Sequence, residues 1–549
     1  LESTPPIRSR APEEGNFEIP LWGVPFVLLL LYVCLFSGLG ALGLVGPDEP
    51  RYAAIARAMS ETHDWVTPRL WGTPWFEKPV LYYWTAGIAM RLFGVSEFAA
   101  RLPSALAALL AVVAAAWTAL RSYGLGAAWY TLLMLPTSVA MIGFARAASP
   151  DMLFAGLITA AMAVAVEMLQ KPRPGPILRV AFGFFLGAAV LAKGPAAVIL
   201  AGGATLLWAA LTRRWRAPFR FLHPLVIAVF CATALPWYTL CALRNPDFLR
   251  VFIWQHNFER YLTPIFEHRQ PFWFFGPIFL LGILPWLPLL ILSFKDAKAS
   301  LRSLQRVNSP AIFIACWTLF VLLFFSLSQS KLPGYILPAF PPGVLLLCDS
   351  TAKYVQNKSG MLALLNVVTG SILPLGIGIV LATRSHSSLA DAMLDARYMR
   401  GFEIALIAAI LGLCAIVAFS FRRRQGNALC AASLTVAILI LLANRLILPV
   451  IDTIVSARPA ADWTIRSHSL TTEDVAVYRL PRAYQYGLDY YFNAPLSEWS
   501  PENKKASVLF AGRDALDTSP LSSLPKGNES PATTDGKIFF VIMQPSDRK

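Results

Sequence analysis

The chain has 549 residues, 56% hydrophobic and only 14% charged, with a mean hydropathy of +0.55. Soluble chains carry roughly a quarter charged residues, so this balance excludes a soluble multidomain protein and indicates a polytopic membrane protein. The net charge of +15 falls mostly in short clusters between apolar runs. That positive-inside pattern argues against nucleic-acid binding and for contact with anionic lipid or a phosphorylated substrate.

In chain order, apolar runs predict spans near 21–43, 100–120, 126–145, 150–169, 177–192, 195–211, 222–242, 272–292, 311–327, 335–349, 361–382, 403–421 and 428–449. These make about thirteen helices, some short for a bilayer. The segment before Phe26 contains Arg8, Arg10, Glu13 and Glu14, and no small-residue cleavage site follows, so the first run reads as an uncleaved span. With the N-terminus in the cytoplasm, every dense basic loop falls on the cytoplasmic side: Arg121; Lys171, Arg173 and Arg179; Arg213, Arg214, Arg216 and Arg220; Lys295, Lys298, Arg302 and Arg306; Lys353 and Lys358; Arg422–Arg424. An odd number of spans then sends the C-terminus outside.

Stretches 47–64 and 79–94 are too polar or too short to cross. Both read as amphipathic helices in the outer interface, joined by the Trp- and Pro-rich loop 65–79. Counting 79–94 as a span would invert every later loop and put the basic clusters outside. Residues 1–450 therefore form the transmembrane unit. From about Asp452 polar residues rise, and strand-like runs at Val475–Leu480, Ser507–Phe510 and Ile538–Met543 predict a small α/β domain over 451–549 on the outer side. The seven cysteines lie in or beside apolar runs without CxxC spacing, and read as small core residues rather than a disulfide frame or metal cluster. The chain carries no nucleotide-binding glycine motif, so no nucleotide cofactor is expected.

Five polar clusters fall at the outer ends of the spans. Asp48-Glu49 with Arg51 and Tyr52 suits a site handling protons or charged leaving groups, and equally an acidic helix N-terminus. Glu77-Lys78, among Trp75, Phe76, Tyr82 and Tyr83, reads either as a phosphate grip or as an interfacial anchor. Arg146 and Asp151 share a short loop and fit a site or a structural ion pair. The outer loop near 243–271 holds His256 and Arg260 at i, i+4 spacing; a lone His is more often structural than a ligand. Ser326–Pro338 interrupts apolar sequence with Lys331, Gly334 and Tyr335, and irregular backbone at that depth points to a cavity lining. Lys193 is a further outer cation, or simply marks a turn. Together the clusters suit an anionic, lipid-linked substrate. A transporter or flippase would instead place polar groups near the midplane on broken helices of inverted repeats, and the sequence has no clear internal repeat.

The motifs DEPRY (48–52), WFEKP (75–79), HNFER (256–260) and SKLPGYILP (330–338) resemble those of the 4-amino-4-deoxy-L-arabinose lipid A transferases. These group with protein O-mannosyltransferases among the GT-C glycosyltransferases. The resemblance runs to about residue 345 and is weak beyond it. It implies an all-α polytopic fold of GT-C type in the bacterial inner membrane, with the C-terminal domain in the periplasm. It also implies transfer of aminoarabinose from undecaprenyl phosphate to a lipid A phosphate, which lowers envelope charge and gives resistance to polymyxin and cationic peptides. Asp48 is then expected as the key catalytic carboxylate and Asp151 as the second. Arg51, Lys78, Lys193, Arg260 and Lys331 are expected at the substrate phosphates, with Glu49, Tyr52, Tyr82, Arg146 and Tyr335 lining the site. A divalent metal, zinc by family analogy, is expected at Glu77 and His256. The expected partners are the undecaprenyl-phosphate-linked donor, lipid A and membrane lipids, with the chain a monomer. A transferase of the same superfamily moving another sugar, or modifying a protein hydroxyl, is the nearest alternative.

Overall fold

The structure is a computed structural model that describes residues 17–259, 269–301, 309–383, 396–468, 472–500, 507–512, 515, 529–533 and 538–542. Among these, eight helices are long and apolar enough to cross a membrane, and up to ten spans result if each of two bent helix pairs is one. The chain is therefore an integral membrane protein. Several predicted spans are continuous helices, among them Glu97–Tyr123, Pro150–Gln170, Pro176–Lys193, Pro224–Arg244 and Pro310–Leu327. Others differ in form from the simple rods that hydropathy suggests. The run 126–145 is broken into Leu125–Met134 and Val139–Ala145 with a 60° bend, and 272–292 bends by 109° between its halves. Proline accounts for both breaks: Pro136 follows Leu135, and Pro285 and Pro288 remove backbone donors from the second. The first run is short, Gly23–Leu31 continuing as a π-turn over Tyr32–Phe36.

Between the first run and Glu97 lie two helices, Asp48–Thr62 and Leu81–Phe93, close to the predicted interfacial segments. Their join carries a two-stranded hairpin, Arg69–Leu70 against Thr73–Pro74. The Asp48–Thr62 helix buries Tyr52, Ala53, Ile55, Ala56 and Met59, and also Glu49 and Arg51, in protein contacts. It is packed against protein along most of its length.

Three of the predicted basic loops meet one another. Arg121 and Lys171 both pair with Glu167, at 3.0 and 3.2 Å, and Arg220 donates to the Lys171 carbonyl.

Beyond Val455 the chain builds a mixed five-stranded sheet, in the order Ser497–Glu498, Val475–Tyr478, Val508–Gly512, Ile538–Ile542, Glu529–Pro531. The first two neighbouring pairs are parallel and the last two antiparallel. Helices Arg458–His468 and Arg482–Phe492 supply Ala461, Tyr484 and Leu488 to a small core with Val475, Val477, Val508 and Phe510. This region and the Leu448–Val455 helix that precedes it dock on the segment after the first helix. Asp452 accepts from the Gly43 amide at 2.6 Å, and Arg458 donates to the Gly40 carbonyl at 3.0 Å. The Tyr491 hydroxyl accepts from Leu44 N–H and donates to Glu97.

Candidate active site

The site begins at the first turn of the Asp48–Thr62 helix. Pro50 fixes helical φ there, and Asp48 and Glu49 meet the positive end of the helix. The two adjacent carboxylates face different surroundings. Asp48 leaves half of its side chain exposed and pairs with Arg51. Glu49 is buried and fully engaged. One oxygen accepts from the Ala148 amide (2.6 Å) and Arg101 Nε (3.2 Å), the other from the Val45 amide (2.9 Å) and Arg101 Nη2 (2.7 Å). Arg101 also donates to the carbonyls of Leu39, Leu42 and Gly43. Glu49 thus ties the first loop to the Glu97–Tyr123 helix and to the loop that delivers Asp151.

Arg51 is the centre of a first charge cluster. Its guanidinium pairs with Asp48 and lies 3.3 Å from Glu77, which in turn lies 3.2 Å from Lys78. Aromatic rings of Tyr52, Trp75 and Tyr486 approach the guanidinium carbon at 5.8, 5.6 and 5.4 Å. Burial works against its charge, but Glu77, Tyr52 and Asp48 outweigh it and hold its pKa above the ordinary value. The loop carrying Glu77 and Lys78 is fixed from the Pro224–Arg244 helix and the residues that follow it. Trp237 donates to the Val66 carbonyl, Asn245 to Thr67, and Phe248 packs on Phe76.

A second cluster forms where Asp151 opens the Pro150–Gln170 helix. Lys193, at the end of Pro176–Lys193, pairs with Asp151, and its ammonium sits 4.8 Å from the Tyr335 ring centre and 5.6 Å from Phe154. Gly334 lies so close to Asp151 that an added Cβ would come within 2.8 Å of its carboxylate, so the SKLPGYILP turn packs directly on this cluster. Lys331 is buried in that turn and donates to the Ser328 carbonyl; burial lowers its pKa.

The structure places the remaining predicted residues as follows. Arg146 donates to the carbonyls of Val33, Cys34 and Ser37, closing the end of the first helix. Tyr82 is buried and donates to the Ala100 carbonyl. Tyr52 packs between Tyr82 and Tyr83. His256 lies on the π-helical turn Arg250–Glu259, and Arg260 lies outside the described residues. No group of three His, Cys, Asp or Glu side chains suited to a metal occurs among the described residues. Glu77 faces two cations, Arg51 and Lys78.

Two residues at the site, Arg101 and Tyr486, go unmarked in the sequence reading, and Tyr83 enters it only as an aromatic beside Glu77. Arg101 carries the one usable signal, an arginine inside an apolar helix. Tyr83 is fully buried, its hydroxyl has no hydrogen-bond partner among the described residues, and burial with Glu77 and Asp48 raises its pKa. Tyr486 comes from the C-terminal region, where no motif marks it.

Residues 21–252 match the Dolichyl-phosphate-mannose-protein mannosyltransferase family. The chain is 32% identical to the undecaprenyl phosphate-alpha-4-amino-4-deoxy-L-arabinose arabinosyl transferase of Erwinia tasmaniensis, over 68% of each chain. It is 30% identical to the enzyme of the same name from Aeromonas salmonicida, over 68% of this chain and 69% of that one. The fold is similar to that of ArnT from Cupriavidus metallidurans bound to undecaprenyl phosphate. That match has a TM-score of 0.75 and 25% identity, and covers 96% of this chain and 98% of the other.

Proposed function

The chain belongs to the undecaprenyl phosphate-alpha-4-amino-4-deoxy-L-arabinose arabinosyl transferase family, and on that premise we propose that it moves 4-amino-4-deoxy-L-arabinose from undecaprenyl phosphate to a phosphate of lipid A. The observation that carries the reading is the pair of neighbouring ion clusters, Asp48–Arg51–Glu77–Lys78 and Asp151–Lys193, held together by Glu49. The work is done in the periplasmic leaflet of the inner membrane. Two features support this sidedness: the C-terminal α/β region bonds to the loop after the first helix, and the loops carrying Arg121, Lys171 and Arg220 gather with one another. The region after Val455 is on this reading a periplasmic domain.

In the transfer, the bond between the sugar's anomeric carbon and the lipid phosphate oxygen breaks, and a bond to an acceptor phosphate oxygen forms. The departing lipid phosphate gains negative charge as its bond breaks, so fixed cations there lower the barrier. Arg51 and Lys78 serve that role, with Glu77 holding both in place. The acceptor monoester is already largely ionised near neutral pH, its second pKa being about 6, so it needs no strong base. Asp48 instead faces the sugar and stabilises the positive charge that develops on its ring. Lys193, with Tyr335 beside it, serves the acceptor phosphate and also reaches the departing lipid phosphate, Asp151 orients Lys193, and Glu49 and Arg146 position the loops. Arg260 is assigned to the phosphates with Lys78, and Lys331 to the wall of the cavity. The reading routes no step through a metal. The added amine lowers the negative charge of the envelope and with it the binding of polymyxin.

Mass spectrometry of lipid A from a strain lacking other copies tests the proposal. The wild-type gene should add aminoarabinose and Asp48→Ala should not, at equal membrane abundance. An unmodified lipid A with wild-type protein present would overturn it. A mannosylated protein in its place would favour the mannosyltransferase branch.

A further inference from the structure

The Arg482–Phe492 helix belongs to the C-terminal region, whose other contacts explain how that region stays attached but not what it does for the site. Tyr484 and Leu488 of this helix face the sheet core, and Gly487 lies close against Ala457. Tyr490 and Tyr491 face the membrane unit, Tyr491 bridging Leu44 and Glu97. Tyr486 points in a further direction, onto Arg51, with its ring centre 5.4 Å from the guanidinium carbon. Its hydroxyl accepts from the exposed Arg482 Nε and Nη2 at 3.3 and 3.2 Å, and the Arg482 guanidinium carbon lies 5.3 Å from the same ring, while the packing of Tyr484, Gly487 and Leu488 sets the direction in which the ring points. Arg51 is thereby enclosed by three rings from three separate parts of the chain: Tyr52 of its own helix, Trp75 of the hairpin loop, and Tyr486. Asp48 and Glu77 close the remaining sides.

We infer that Tyr486 is a positioning residue for the transfer reaction, by which the C-terminal region completes the phosphate-binding site through the face of its ring on Arg51. An arginine on a flexible stem binds phosphate well only when its fork is already aimed, because aligning it on binding costs rotamer freedom. Two carboxylates alone would draw the guanidinium toward whichever is nearer. A ring on the third side resists that drift and adds attraction to the cation without competing for its N–H donors. The inference rests on the reading of Arg51 as a ligand of the lipid phosphate.

The test uses the purified full-length chain, with undecaprenyl phosphate as a binding probe and transfer to lipid A as the activity. Tyr486→Ala and Tyr486→Leu should each weaken undecaprenyl phosphate binding and raise the donor KM by about tenfold, with kcat changed less than about threefold. Tyr486→Phe keeps the ring face and should stay within about twofold of wild type on both measures. Tyr486→Leu guards against misfolding, since it keeps apolar bulk while removing the ring and hydroxyl, and Tyr486→Phe separates those two; the alanine and leucine variants should unfold at the wild-type temperature. A donor KM and probe affinity unchanged in Tyr486→Ala and Tyr486→Leu would overturn the inference. So would a Tyr486→Phe variant as impaired as the alanine, because the hydroxyl and not the ring would then carry the effect. Wild-type protein that binds the probe but transfers no aminoarabinose would refute the functional reading instead, and probe affinity would still decide the role of Tyr486.

Discussion

Glu49 and Asp48 are adjacent, yet the structure predicts opposite consequences of removing their charges. Each Glu49 oxygen accepts two hydrogen bonds: from Ala148 N–H and Arg101 Nε on one, from Val45 N–H and Arg101 Nη2 on the other. Glu49→Gln replaces one oxygen by an NH2 group. Whichever way the amide turns, that group faces two donors and accepts from neither. Two buried donors lose their acceptor, at about 1–3 kcal/mol each, and Arg101 loses its counter-charge. Breaking a buried ion pair from one side costs about 3–5 kcal/mol, which sets the scale for the variant. Asp48→Asn touches a half-exposed carboxylate whose partner Arg51 keeps Glu77, so it should cost less than about 1 kcal/mol. Thermal unfolding of the detergent-purified variants, read with lipid A modification at matched abundance, separates the two. Glu49→Gln should unfold well below wild type and lose activity with its fold. Asp48→Asn should unfold near wild type and lose activity alone. A Glu49→Gln protein as stable as wild type would refute the staple, and equal destabilisation of both would show that Asp48 is structural too.

Other consequences can be checked by similar means. Arg146→Ala leaves the carbonyls of Val33, Cys34 and Ser37 without their donor, and should destabilise the first helix by about 3 kcal/mol or more, seen as faster proteolysis near Ser37. Lys78→Ala removes one of two cations from Glu77 and should weaken undecaprenyl phosphate binding roughly tenfold with little change in unfolding temperature. In the C-terminal region, burial pushes the Asp489 carboxyl up to about 6, despite an opposing hydrogen bond from Leu496. The folded form therefore holds a proton that the unfolded chain has released, so stability falls as pH rises from about 4 to 6, by at most about 3 kcal/mol. Hydrogen exchange in Val475–Tyr478 should quicken over that range, and Asp489→Asn should flatten the dependence.

Much of this organisation was legible in the chain because membranes make sequence speak plainly. Long apolar runs between basic loops announce helices such as Pro150–Gln170, and the acidic pair after the first run marks the start of Asp48–Thr62. Short strand-like runs likewise fall on the strands near Val475, Val508 and Ile538. What hydropathy misses is bending, since Leu125–Ala145 and Phe272–Asp296 have the composition of straight spans. Spacing also cannot divide roles within a pair. Asp48 and Glu49 look alike in sequence, and only the burial of Arg101 opposite Glu49 tells the exposed carboxylate from the engaged one. Tyr486 was invisible for a different reason. It reaches Arg51 across more than four hundred residues of chain, and a tyrosine in a soluble helix carries no mark of what it faces.

If Lys193 binds phosphate as proposed, its pairing with Asp151 calls for a reason. Transfer turns the donor diester into a lipid monophosphate while the acceptor monoester becomes a diester, so the more highly charged phosphate changes place within the site. A cation with no counter-ion would hold any dianion tightly and delay release of product. Lys193 has Asp151 as partner, and the pair is only partly exposed, so their attraction competes directly with a phosphate for the ammonium. Asp151→Asn should therefore tighten the binding of undecaprenyl phosphate, by about tenfold if the competing attraction is near 1.4 kcal/mol. Turnover should fall at the same time, with product inhibition appearing at lower undecaprenyl phosphate concentrations. Titration of the purified variant with undecaprenyl phosphate, alongside progress curves with and without added product, measures both. If Asp151 acts instead on the amine of the sugar, the variant will lose turnover while its affinity for undecaprenyl phosphate, which has no amine, stays at the wild-type value. That outcome would return Lys193 to the role of a simple phosphate ligand and assign Asp151 to sugar selection.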